Sequence, residues 1–159
     1  ADKIMRLLRD LPKQLTAGKT GGVVAKALRK GARVLINEEK KTLQAAIDVG
    51  KVYSTGQLIK KLTVKRVAKH DEKGEKVQTS IRKGKYKTKA DGTPRTGKKS
   101  QPTYYAVGSF LEYGTSTQPA TPWVRPAFNA KAEEAILTTE KTLLTSLEKI
   151  AAKKLPRER

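Results

Sequence analysis

Residues 104–127, Tyr-Tyr-Ala-Val-Gly-Ser-Phe-Leu-Glu-Tyr-Gly-Thr-Ser-Thr-Gln-Pro-Ala-Thr-Pro-Trp-Val-Arg-Pro-Ala, restrict the fold more than any other part of the chain. The apolar run 104–113 reads as a strand, the most hydrophobic in the sequence. Gly114 and a Thr/Ser/Gln/Pro turn stop it. Pro119, Pro122 and Pro126 then stiffen an extended crossover at low entropic cost. Pro126 stands where a long amphipathic helix is expected to begin, because its missing N–H would have no partner in a first turn.

That helix has a clear stripe. Phe128, Ala132, Ile136, Thr139, Leu143, Leu147 and Ile150 recur at spacings of three and four. Glu133 and Glu134 near its start, and Lys149, Lys153 and Lys154 near its end, match the helix dipole, and Pro156 ends it. Upstream, 23–49 read as a second long helix with Val24, Ala27, Leu28, Gly31, Leu35, Thr42, Leu43, Ala46 and Ile47 facing inward. Gly31 within that stripe costs about 1 kcal/mol of helix propensity, which close approach to another element would offset. Residues 3–15 form a shorter helical pattern interrupted by Pro12, and 16–22 a hinge.

Between the helices lie two alternating runs, 60–69 and 76–83, joined by a turn over 69–75. Residues 84–103 have no apolar period, and a loop of that length is usually functional or disordered. The order helix, strands, helix implies one α+β domain over 1–159. A small antiparallel sheet would be flanked by a long N-terminal and a long C-terminal helix, with residues 1–21 a helical extension and 84–103 a long basic loop.

Charge is the second constraint. The chain carries +20, and residues 51–103 supply +12 of it. A merely solubilising surface would spread the excess more evenly; this asymmetry points to a face that meets a polyanion or an acidic protein surface. Lys83, Lys85, Lys87, Lys89, Arg95, Lys98 and Lys99 are the candidate contacts, in a segment whose composition favours ordering on assembly. No cysteine is present, so disulfides and thiolate sites are excluded. No apolar run approaches the roughly 20 residues that a bilayer span needs, and no signal-peptide core is visible, so a protein made in the cytoplasm is expected.

Catalytic chemistry is not expected, and neither is a metal or a cofactor. The single histidine, His70, falls in a turn beside Lys69 and Asp71 and reads as solvated. Ala17-Gly18-Lys19-Thr20 imitates the end of a phosphate-binding loop, but the glycine required at its head would fall at Lys13. Glu112 among aromatics reads as a structural partner for an arginine or for backbone donors. Basic nucleic-acid binding is the competing function: Tyr86 interleaves with lysines, yet no DNA- or RNA-binding motif is readable.

Glu112-Tyr113-Gly114-Thr115 followed by Pro122-Trp123-Val124-Arg125-Pro126-Ala127 resembles the signature of the gene-product-ten-like family of long-tailed bacteriophages, the tail-completion or neck proteins between head connector and tail tube. Thr55-Gly56-Gln57-Leu58 is similar to the family's turn that opens the first strand. The resemblance spans about residues 22–152 in order and spacing, and is specific only over 104–128; Trp123 stands where phenylalanine is more usual. It implies a non-enzymatic virion protein at the head–tail junction, assembled as a ring, a hexamer by that resemblance. Its neighbours would be the head connector or stopper and the tail terminator or tail tube, with double-stranded DNA in the channel and no membrane contact. The tail terminator is the alternative role. The basic loop 84–103 is longer and more charged than the family leads one to expect, so the resemblance implies no role for it. Trp123 and Phe128 are expected to anchor the crossover, and Arg125 to pair with Glu112.

Overall fold

A computed structural model of the chain describes residues 22–49, 56–67, 75–89, 92–97 and 101–154. The expected extension 1–21, the turn around His70, Thr55, Lys98 and Lys99 lie outside the described residues. The elements run α1 (Gly22–Val49), α2 (Gln57–Lys61), β1 (Leu62–Val67), β2 (Lys76–Ile81), α3 (Tyr104–Tyr113) and α4 (Val124–Lys154). The fold is α+β, with a long N-terminal helix, a long C-terminal helix and β1 and β2 paired as a two-stranded antiparallel sheet.

The run 104–113 is a helix, not a third strand. Its buried residues are Tyr104, Gly108 and Glu112, one helical face at a spacing of four. Both ends carry capping chemistry. The Thr103 hydroxyl accepts from the Ala106 amide at 3.1 Å, and Gly114 follows the last turn at φ 76°, its N–H bonded to the Phe110 carbonyl. A short apolar run cannot be assigned by periodicity alone. The first strand is also shorter than expected, because residues 57–61 make one helical turn after the left-handed Gly56 (φ 62°).

Contacts divide the described residues into two compact units. The first takes in 22–34, 64–67, 75–78 and 133–154. In it, Gly31 of α1 lies against Ala135 and Thr139 of α4, so close that a Cβ at 31 would fall 2.6 Å from the Ala135 carbonyl oxygen. Small residues make this contact, which corrects the expected α4 stripe. Ala135 is buried and Thr139, Leu143, Leu147 and Ile150 are half-buried, whereas Ile136 is exposed together with Leu137 and Leu144. In the same unit Arg66 and Glu75 form a bidentate pair, both bonds at 2.7 Å.

The second unit takes in 35–49, 56–63, 79–89, 92–97 and 101–132. Its core holds Ile36, Leu43 and Ala46 of α1, Leu58 of α2, Leu62, Tyr104, Trp123 and Ala127. Helix α2 packs on α3, and Gly108 of α3 leaves no room for a Cβ, which would meet Ile81 Cδ1 at 2.7 Å. The buried face of α1 includes Ala25, Ile36 and Glu39, none of them in the expected stripe, while Val24, Leu28, Leu35, Thr42 and Ile47 are only half-buried.

The basic loop has more structure than its composition suggests. Residues Lys85 and Thr103 form an antiparallel bridge, as do Thr88 and Pro94. The Tyr86 amide donates to Pro102 (2.9 Å), the Arg95 amide to Lys87 (2.8 Å) and the Lys89 amide to Thr93 (2.8 Å). Backbone groups here satisfy each other without an apolar period, so patterning could not register them. Gly84, at φ 151°, lies under the Tyr104 ring, and Tyr86 meets the same ring edge-on at 4.6 Å.

Candidate functional site

The residues of the signature converge on one corner, where α3 ends and α4 begins. Helix α4 has no acidic residue in its first turn. Glu133 and Glu134 lie more than two turns in, too far to meet the dipole at the helix start as expected. Glu112, from the end of α3, takes that role. Its carboxylate accepts the Trp123 amide at 2.7 Å, the Val124 amide at 2.8 Å and the Arg125 amide at 3.4 Å. These are the first N–H groups of α4, which have no partner within the helix. Arg125 Nε adds a bond at 3.0 Å to the same carboxylate.

Burial by itself would push the Glu112 carboxyl up, but the amides of Val124 and Trp123, the Arg125 side chain and the Arg125 amide outweigh it and hold the group below its ordinary value. The carboxylate is therefore ionised at neutral pH. A buried charge of this kind is tolerable because each lone pair has a donor.

Trp123 fills the angle, 3% exposed, with its indole N–H donating to the Gly108 carbonyl at 3.1 Å. Gly108 thus gives the acceptor, while the room left by its missing Cβ is taken by Ile81. Thr42 of α1 donates its hydroxyl to the Trp123 carbonyl at 2.7 Å. Gly114 turns the chain where a Cβ would meet the Ala120 nitrogen at 2.8 Å and the Gln118 carbonyl at 2.9 Å. The Thr115 hydroxyl then accepts from the amides of Thr117 and Gln118, and the Thr121 amide returns to Leu111 at 2.8 Å. Gly56 and the buried Leu58 belong to the same unit through α2.

Not every expected residue joins this corner. Phe128 is 56% exposed and does not act as an anchor, because it points away one position past the buried Ala127. Tyr113 is exposed, with the Arg125 guanidinium 5.9 Å over its ring. Pro122 and Pro126 are exposed, the latter in the first turn of α4. Lys83, Lys85, Lys87 and Lys89 are exposed on the basic loop, and Arg95 is half-buried.

Three features were not foreseen. Glu112 pairs with Arg125 and with backbone donors as expected; the unforeseen point is that those donors are the first amides of α4. Gly108 as the acceptor for the Trp123 indole is a second unforeseen feature. The third is Glu39, buried within α1, whose carboxylate accepts from Thr79 Oγ1 at 2.8 Å. Burial pushes the Glu39 carboxyl above its ordinary value, only partly opposed by the Thr79 bond. Among the described residues no three His, Asp or Glu side chains gather as metal ligands, and no helix is long and apolar enough to cross a membrane. In comparisons with known proteins, no family model, no curated sequence and no solved structure matches the chain.

Proposed function

We propose that the chain is a non-enzymatic virion structural protein, a tail-completion or neck subunit that assembles as a ring around the DNA path at the head–tail junction of a long-tailed bacteriophage. The observation that carries this reading is the corner itself. The residues of the resemblance, Glu112, Gly114, Thr115, Trp123 and Arg125, are all used in joining α3 to α4. Their pattern is thus tied to a specific architecture. A second feature fits an assembly role: Tyr105, Phe110, Tyr113 and Phe128 in one unit, and Ile136, Leu137 and Leu144 in the other, are each about half or more exposed. Such side chains mark a surface that meets other proteins where they form a contiguous patch.

The test is mass by light scattering after size exclusion in high salt, alone and mixed with candidate head-connector and tail-tube proteins. A ring, or a complex formed with one of those neighbours, is expected, and the neighbour bound separates tail completion from tail termination. The rival function, favoured by the +20 charge, is a monomeric nucleic-acid-binding protein. A chain that stays monomeric with every neighbour and binds duplex with a steep salt dependence would replace the junction reading with that one.

A further inference from the structure

The unit built on the Gly31 contact carries an open groove of about 320 Å³ between the N-terminal half of α1 and the C-terminal half of α4. Lys26 and Lys30 line it from α1, Lys141 and Lys149 from α4. All four are exposed, and none has an ion-pair partner among the described residues. The remaining lining residues are threonine and serine, whose methyl and methylene groups, with the lysine stems, add carbon surface beside the hydroxyls. Thr145 and Ser146 donate to the carbonyls of Lys141 and Thr142, and Thr138 and Thr142 also line the groove. No carboxylate, no aromatic ring and no wholly aliphatic side chain takes part.

We propose that this groove is a binding site for the sugar–phosphate backbone of a nucleic-acid duplex, separate from the basic loop. Like charges four residues apart on one helix repel, so Lys26 and Lys30 are placed at a cost that a polyanion removes. Lys141 and Lys149 are eight residues apart, about 12 Å along the helix. A row of that length suits a polymer carrying charge at regular intervals, whereas a small anion needs donors converging on one point. The lining also selects among polymers. Acidic peptide motifs are read chiefly by arginine forks that grip a carboxylate with two bonds, and no arginine lines the groove. A single strand needs rings on which its bases stack, and none is available either. Cations and hydroxyls are what a backbone contact uses, and such contacts carry no sequence information. The site does not depend on the junction role, since it would serve any basic protein that meets DNA.

The experiment measures binding of the full-length protein to two 20-base-pair DNA duplexes of unrelated sequence across a salt series. The variant carries Lys26→Gln, Lys30→Gln, Lys141→Gln and Lys149→Gln. Its slope of log K against log[salt] should fall by about 3.6, roughly 0.9 per lysine, equally on both duplexes. Replacing the same four lysines with arginine should restore the slope, which separates lost charge from lost fold. An unchanged slope in the glutamine variant overturns the site, as does absence of salt-dependent duplex binding by the parent protein. So does displacement of the duplex by poly-glutamate at equal charge concentration, which would assign the groove to acidic proteins. Because oligomeric mass is not the readout, failure here leaves the junction reading standing, and the converse also holds.

Discussion

Glu112 and Glu39 are two buried carboxylates with opposite electrostatic histories. Glu112 has four donors and is held below its ordinary pKa of 4.5; Glu39 has Thr79 and is raised above it. Glu112 therefore stabilises the fold above pH 4.5, and that contribution disappears as pH falls through its lowered value. Glu112→Gln should cost about 1–3 kcal/mol at pH 7, since the amide offers one acceptor and turns an NH2 toward N–H groups. The deficit should shrink in acid, as chemical denaturation at pH 7 and pH 3 would read. Glu39 has the reverse sign: its cost appears as pH rises from 4.5 through its raised value. Glu39→Gln keeps an acceptor for Thr79 and removes the buried charge, so Tm at pH 7 should rise by about 1–3 °C and the gain should vanish below pH 4.5. A fall in Tm at pH 7 would mean that the ionised form is the one the site prefers.

At the scale of elements, the two long helices and the pair of strands were legible because their patterns are long or strictly alternating. The helix α3 was not, since a largely apolar run of ten residues fits a buried strand and a buried helix equally well. Its caps, Thr103 and Gly114, held the missing information. The inward face of α4 was misassigned at Phe128 and Ile136 for a different reason. Bulky apolar residues were counted as core, while the contact with α1 is made by Gly31, Ala135 and Thr139. That contact makes its own prediction. Gly31→Ala would normally gain about 1 kcal/mol of helix propensity. Here the added methyl meets the Ala135 backbone oxygen, which cannot rotate away, so the variant should be destabilised by about 1–3 kcal/mol overall. Denaturant unfolding of the two proteins checks this; a more stable variant would show that the helices have room to part.

For the molecule as a whole, the dominant fact is +20 on 159 residues. In a hexamer, which the resemblance implies, about 120 positive charges would share one ring and need neutralising by DNA or by acidic neighbours. The sequence places +12 of that charge in 51–103 but does not show how the 84–103 segment within it is held. Tyr86 is the internal marker of that hold. Burial, the neighbouring Tyr104 and a bond to the Leu58 backbone set its pKa, the first two raising it and the last lowering it, to about 12. One tyrosine should therefore titrate near pH 12 by ultraviolet absorbance, and the stability it lends should fade as pH climbs above 10. Replacing Lys85, Lys87, Lys98 and Lys99 with glutamine should leave that late titration in place, because the anchoring groups are untouched. In the junction reading, virions carrying the variant should still join heads to tails and should retain packaged DNA less well. Heads and tails that fail to join would assign the loop to an acidic protein neighbour instead. Normal joining with normal infectivity would reduce its charge to a solvated surface, and the groove on α1 and α4 would remain as the place to look for DNA.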